Sequence, residues 1–475
     1  MVNNISRKLF SQRLEFIGTI SSDALSVDQL QIAISYSLVN QGNVTGRIYG
    51  TKDIARKIEQ FYEYKSTELR LEGEHFNQKI YSDSLILNRI LLGSATPSSR
   101  TGGELHSVIA EIELWNLKIE NRYEADDRTT RSISFLLNGP KQVWQVFQWR
   151  IHGLQGEVEN DIRNSEIDLE VEPTVKILPR YFYDHLDDEE KVDISTNVYS
   201  LAIETKKSED EFSEMDFLEY SRELVDDLTM LASFLTKHWV VWYGYYFDRN
   251  YGYDFFIRNS RPTHDVKINH YDWTIRPENI REFLKTGLKS FRQLRNKNID
   301  LRMPINYYVS GHEGITIEEK FTKLFLSLEK IKDLFASQND LIMNLPETKF
   351  KEIRKRLIQT LRNELDNPKE LKKIKLKLME LNRPSLMYVL ENLFSVYRIT
   401  WKDIYPPHSK FTLLSTRNTL FHSASDMNID ELIKEFERLN VILDRLLLRM
   451  LGWENLSFVI PDYKLKFLVK AGKSH

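Results

Sequence analysis

Residues 321–335 read FTKLFLSLEKIKDLF, and Phe321, Leu324, Phe325, Leu328, Ile331 and Phe335 recur there at spacings of three and four. On a helix of 3.6 residues per turn these positions share one face, so residues 317–335 predict an amphipathic helix with one side committed to a core. The same period returns downstream, over 349–365, 369–381, 385–397, a segment around 413–424 and 432–451, with Asn367-Pro368, Arg383-Pro384 and Tyr405-Pro406-Pro407 as breaks. Short connections between such helices imply antiparallel packing into a bundle. The tail, 457–469, alternates weakly and reads either as a strand or as a docked extension.

Upstream the period changes to two. Leu14, Phe16, Gly18 and Ile20 alternate with polar residues, as do Leu69 and Leu71, and Ile167, Leu169 and Val171. Gly42-Asn43, the loop 93–103 (GSATPSSRTGG) and Asn138-Gly139-Pro140 supply turns. The pattern predicts a β-rich domain and leaves sandwich and barrel both open. The charged stretches 184–190 and 206–214 read as solvated connectors. From Met215, the apolar residues Phe217, Leu218, Leu224, Leu228, Leu231 and Leu235 predict a helix running into an aromatic strand over 239–247. A second strand at 255–257 and a helix from Pro277 to Leu294 follow. The expected architecture is multidomain α+β: a β-rich N-terminal domain (1–205), a bridging α/β region (206–300), an all-α C-terminal helical bundle (301–455) and a tail (456–475).

Composition narrows the chemistry. The 475 residues carry 41% hydrophobic side chains and 28% charged ones, enough apolar material for real cores. The net charge of −3 gives no chain-wide attraction to polyanions. Residues 346–400 depart from that average, with 13 Lys and Arg against 7 Asp and Glu, a net of +6. Such a surface could hold a phosphate backbone, although Lys351, Lys355, Lys372, Lys373 and Lys375 would equally decorate any solvated helix face. The absence of cysteine excludes disulfides, thiolate metal sites and cysteine nucleophiles. No apolar run of about 18 residues and no apolar leader after MVNNISRKLFSQRLEF is present, so the expectation is a cytoplasmic protein with no membrane association.

Several motifs fail on inspection. Gly42, Gly46 and Gly50 in GNVTGRIYG lack the Gly-Lys-Ser/Thr of a phosphate loop and read as a β-turn. His264 and His270 flank Asp265 without a ligand spacing, so no metal and no cofactor is expected. There is no G-x-S-x-G elbow.

What remains is RNTLFH, residues 417–422. Arginine followed five positions later by histidine occurs three times: Arg70 to His75 in a turn-like context around Gly73, Arg180 to His185 just after Pro179, and Arg417 to His422 on an expected helix. Only the third has Asn directly after Arg. On a helix Asn418 and His422 share a face, and Arg417, about 100° away, is long enough to curl back to it. An imidazole exchanges protons near neutral pH, a guanidinium binds phosphate through two hydrogen bonds, and an amide orients either partner. That set suits attack of an RNA 2′-hydroxyl on the adjacent phosphate and needs no metal. The plain structural alternative is an Arg paired to an acid, an Asn in a turn and a His at an interface.

RNTLFH, late in a helical C-terminal module, resembles the R-x4-H motif of HEPN-domain ribonucleases. Residues 321–335, with Leu328-Glu329, resemble the first helix of the ApeA-like group of that family, abortive-infection proteins that defend bacteria against phage. The resemblance covers residues 300–455, and over the first 300 only the layout is similar. It implies that Arg417 and His422 occupy the essential catalytic positions, with Asn418 at the common polar position and Glu329 at an acidic position of the first helix. It also implies a homodimer in which two motif helices line one cleft. Products would carry 2′,3′-cyclic phosphate and 5′-hydroxyl ends, tRNA is the substrate it points to, and the N-terminal domain would answer a phage-derived trigger. The competing expectation is a non-catalytic helical dimerisation module joined to a β-rich ligand-recognition domain.

Overall fold

The protein is described here by a computed structural model covering residues 11–37, 43–63, 68–91, 107–122, 130–138, 167–168, 176–185, 195–206, 213–249, 252–258, 273–276, 279–364, 368–422, 428–456, 460 and 462–469. It divides into two compact units, residues 1–229 with 239–268, and residues 230–238 with 269–475. Residues 206–300 therefore contribute to both. The loop 93–103, most of both connectors, Gly42, Leu169, Val171, His264, Asp265 and His270 lie outside the described residues.

In the first unit, β1 (Ser11–Ser21), β2 (Ser26–Ser37), β3 (Asn43–Gly50), β4 (Leu69–His75), β5 (Gln78–Ile90) and β6 (Ser107–Leu114) form a ring in the order β4-β1-β2-β3-β6-β5, and pairing of β4 with β5 closes it. Of the two architectures the alternation leaves open, this is the barrel. Every pairing in the ring is antiparallel, with register shifts at Gly18/Ile20, Ile48/Tyr49, Leu69/Leu71 and Leu87/Arg89. Such bulges add the bend that closure requires. Inward residues of the period-two runs, Leu14, Phe16, Ile20, Leu69 and Leu71, are buried in one core with Ile32, Ile48 and Ile112.

Two glycines of GNVTGRIYG, Gly46 and Gly50, are not in a turn. Gly46 and Gly50 lie within β3, and a Cβ on Gly46 would stand 2.9 Å from the Ala33 carbonyl oxygen of the neighbouring strand. The residue permits close backbone approach in a curved sheet. Gly73 likewise belongs to β4, paired with Gly18 of β1 and covered by the Phe16 ring, so Arg70 to His75 is a strand, and the turn to β5 follows it at Phe76-Asn77. Arg180 and His185 are also in a strand. A further helix, α1 (Lys52–Glu63), interrupts the strands. Its Ala55, Ile58 and Phe61 enter the barrel core at helical spacing, too brief a signal to stand out among strands.

β5 serves two neighbours along one edge: Leu85–Ile90 pair with β6, while Gln78–Tyr81 pair with β7 (Asn116–Arg122). From β7 the sheet continues through β13 (Gly252–Arg258), β12 (Val241–Arg249), β8 (Thr130–Asn138), β11 (Ser195–Lys206), β10 (Lys176–His185) and β9 (Ile167–Asp168). The expected aromatic strand is β12, with Trp242, Tyr243, Tyr245 and Phe247 buried. Trp242 donates its indole N–H to Asp226 at 2.6 Å, and the Arg258 guanidinium stacks 3.7 Å from the Trp242 ring centroid. Asp226 lies on α2 (Glu214–Thr236).

The second unit is helical. α3 (Ile280–Asn296), α4 (Arg302–His312), α5 (Ile317–Gln338), α6 (Glu347–Glu364), α7 (Pro368–Glu380), α8 (Leu386–Val396), α9 (Leu413–His422), α10 (Ile429–Met450) and α11 (Asp462–Val469) follow in order. All six apolar residues of the 321–335 pattern are buried on α5. The helix opens on a capping box: the Thr316 hydroxyl accepts from Glu319 N–H at 3.2 Å, and the Glu319 carboxylate accepts from Ile315 N–H at 3.1 Å. α10 is enclosed on nearly all sides, with 14 of its 22 residues buried, and α5 and α9 pack on it. α11 resolves the ambiguous tail as a docked helix: buried Leu468 accepts from Arg438 Nη2 through its carbonyl at 2.7 Å. Among the described residues no helix is long and apolar enough to cross a membrane.

A polar cluster is sealed inside this unit. Lys237 Nζ lies 2.9 Å from Asp444 Oδ2 and 3.4 Å from Asn440 Oδ1, and the Tyr308 hydroxyl donates to the other Asp444 oxygen. Lys237, directly after α2, takes the left-handed conformation (φ 60°), which is uncommon for a residue with a side chain. His312 packs edge-on to Tyr308, with ring centroids 4.8 Å apart.

Candidate active site

The motif helix α9 is anchored at its first turn. Leu413 is fully buried, and Thr412, the residue before it, accepts the Thr416 N–H through its carbonyl at 2.9 Å. The Thr412 hydroxyl donates to Glu435 Oε1 at 2.7 Å, and the same carboxylate receives Arg438 Nη1 and, at 3.4 Å, the Tyr405 hydroxyl. Arg438 also donates to the Ile404 carbonyl at 3.1 Å and lies over the Tyr405 ring. Glu435 and Arg438 are both buried on α10, where two opposite charges within hydrogen-bond reach satisfy one another. Burial, followed by the neighbouring Glu435 carboxylate, pushes the Tyr405 phenol far above its ordinary range and keeps it neutral. These contacts fix the entry of α9 against α10.

One turn further on, Arg417 reaches α5. Its Nη2 stands 3.4 Å from Glu329 Oε1, its Nη1 donates to Asn418 Oδ1 at 3.2 Å, and its guanidinium carbon lies 5.9 Å from the Phe325 ring centroid. Phe325 and Glu329 are four apart on α5 and so share a face, which gives the guanidinium an aromatic wall and an acidic stop. The Arg417 and Glu329 side chains are 35% and 27% exposed, so the pair stands at the surface with part of its area open to an incoming anion. Asn418 is exposed.

Of the four residues singled out from the sequence, the structure therefore brings Glu329, Arg417 and Asn418 together. His422 is the last residue of α9, four positions beyond Asn418 on a continuous helix, and its side chain lies outside the described residues. Phe325, Thr412, Glu435 and Arg438 are supporting residues that motif reading passes over. The charged pair at Glu435 and Arg438, inside the apolar run of 432–451, is the sequence signal for two of them. No group of His, Cys, Asp and Glu among the described residues has the arrangement of a metal site.

The assembled groups can hold an anion at Arg417, with Glu329 and Phe325 limiting the guanidinium's freedom and Asn418 available as a hydrogen-bonding partner. Comparison of the chain with protein-family models, curated proteins and solved structures gives no match.

Proposed function

We propose that this chain is a HEPN-type endoribonuclease that cleaves RNA by internal transesterification. The observation that carries the reading is the meeting of Arg417 with Glu329 across α9 and α5, the two segments that bear the sequence resemblance. In the proposed reaction the 2′-oxygen attacks the neighbouring phosphorus, the bond to the 5′-oxygen breaks, and the products carry 2′,3′-cyclic phosphate and 5′-hydroxyl ends. His422 moves the proton, taking it from the 2′-hydroxyl or delivering it to the departing 5′-oxygen. Arg417 stabilises charge developing on the phosphoryl oxygens, which is the larger electrostatic contribution in reactions of this type. Asn418 and Glu329 orient the guanidinium. The chemistry calls for no metal ion.

By the same resemblance, two copies pair through their helical units, tRNA is the substrate, and the β-barrel unit couples cleavage to a phage-derived trigger in an abortive-infection response. The alternative is a non-catalytic helical pairing module with a ligand-binding β-domain. The test is end-group analysis of tRNA incubated with purified wild type, Arg417→Ala and His422→Ala, with and without a chelator. Cyclic phosphate ends produced by the wild type alone, unaffected by chelator, support the proposal. Identical RNA profiles for the three folded proteins in the presence of infected-cell extract overturn it.

A further inference from the structure

α6 and α7 form a helical hairpin inserted in the chain between α5 and α8. None of the 18 residues of α6 is buried, and its packing partner is α7. Phe350, Ile353 and Leu361 of α6, with Leu371 and Ile374 of α7, are half-buried along the stripe the two helices share, and Leu378, close to the base of the arm, is buried. The hairpin is gathered at its base. Leu345 N–H donates to Asn382 Oδ1 at 2.8 Å, Asn382 Nδ2 donates to the Leu345 carbonyl at 2.9 Å, and Asn344 N–H donates to the Asn382 carbonyl at 2.7 Å. Asn382 is itself buried, so this clamp pins the two feet of the arm to each other.

The arm is strongly cationic. α6 and α7 together hold 11 Lys and Arg against 5 Asp and Glu, a net of +6 in a chain whose total is −3. Helical spacing distributes these charges on both flanks of the apolar stripe: Lys351, Lys355 and Arg362 on one side of α6, and Lys349 and Arg356 on the other. All five are exposed, as are Lys372 and Lys373 of α7. A core-facing helix has no use for such a distribution, whereas a polyanion lying along the arm is met by cations over its whole length of about 27 Å. The arm leaves from the end of α5, about 14 Å along that helix from Glu329.

We infer that the α6–α7 arm is the RNA-holding surface of the protein, engaging the phosphate backbone of a substrate whose scissile phosphate lies at Arg417. This rests on the ribonuclease reading for the identity of the polyanion and adds where the substrate is gripped. The arm contributes affinity without sequence preference, as phosphate contacts do.

The experiment measures binding of a fluorescein-labelled oligouridine and of total tRNA to full-length protein carrying His422→Ala, across a salt series. In that background Lys355→Gln/Lys372→Gln/Lys373→Gln is compared with Lys52→Gln/Arg56→Gln/Lys57→Gln, which removes the same charge from exposed positions of α1. The arm variant is expected to bind at least about tenfold more weakly near 0.1 M salt, with a log–log salt slope shallower by about 2, at roughly 0.7 per lost contact to single-stranded phosphate. The α1 variant keeps both values. Equal loss in the two variants, an unchanged slope in the arm variant, or equal competition by polyglutamate or anionic vesicles overturns the inference. Failure is separable from that of the ribonuclease reading: Arg417-dependent cutting with unchanged binding by the arm variant removes the arm alone, and arm-dependent binding without any cutting removes the chemistry alone.

Discussion

Arg417 and Glu329, 88 residues apart in the chain, stand 3.4 Å from one another across α9 and α5. The carboxylate is too exposed for the pair to contribute much to stability, since partly solvated ion pairs are worth about 0–1 kcal/mol. Its consequence is orientation: without Glu329 the guanidinium can swing away from Phe325 and Asn418. Glu329→Gln is therefore expected to lower the rate of RNA cleavage about three- to tenfold, with a melting temperature unchanged within a degree or two. Arg417→Ala and His422→Ala should each lose about 10²–10⁴ in rate, the range for a missing proton-transfer or charge-stabilising group. Single-turnover cleavage assays on the three variants check the ordering, and a Glu329→Gln loss as deep as that of Arg417→Ala contradicts it.

Thr412 offers a separation of anchoring from chemistry. Its hydroxyl ties α9 to Glu435, and Thr412→Val keeps the shape while deleting the donor. Losing one hydrogen bond to a charged group costs about 1.5–3 kcal/mol. Cleavage should fall because the motif helix loosens, and Thr412→Ser, which restores the donor, should recover most of it. Loss of activity in Thr412→Ser equal to that in Thr412→Val argues against the anchoring role.

The sealed Lys237–Asp444 pair predicts a large stability effect far from the motif. Asp444→Ala leaves the Lys237 ammonium buried without a counter-charge and takes away the acceptor of the Tyr308 hydroxyl, and breaking a buried pair in this way costs about 3–5 kcal/mol. Chemical denaturation of the helical unit's transition should show it. Replacing both partners, as in Lys237→Met/Asp444→Leu, is expected to cost less than Asp444→Ala alone.

His312 gives the acid response. Burial holds its imidazole well below the ordinary histidine range, reinforced by the positive charges of Lys237 and Lys464 and by His238. The folded state therefore takes up its proton at lower pH than the unfolded state, for which the value is about 6.5. Below that pH the unfolded chain binds a proton that the native chain refuses, so stability present above about pH 6.5 is lost as pH falls toward the depressed native value. Denaturation midpoints followed over about one pH unit either side of the free histidine value should fall with pH for the wild type and fall less for His312→Leu. Parallel curves would remove His312 as the cause.

The sequence was informative where one element decides its own burial. The apolar stripe of 321–335 and the aromatic run over 239–247 each contain their packing face: the first folds as α5 with its six apolar residues buried, and the second enters β12 at Val241 with Trp242, Tyr243, Tyr245 and Phe247 buried. Ring closure was not legible, because it depends on β4 pairing with both β1 and β5, a choice that alternation within a strand does not encode. Gly46 misled for a related reason: a glycine demanded by a neighbouring strand's carbonyl looks the same in sequence as one demanded by a turn. In the site, RNTLFH announced Arg417 and Asn418, but Phe325 beneath the guanidinium and Glu435 behind Thr412 belong to other helices and carry no motif.

The divided edge of β5 bears on how the first unit comes apart. Because the same strand closes the barrel through β4 and β6 and starts the outer sheet through β7, unfolding of β5 as a whole strips hydrogen bonds from both assemblies. Barrel and outer sheet then share a single opening event, so their slowest-exchanging amides should report one common protection free energy rather than two.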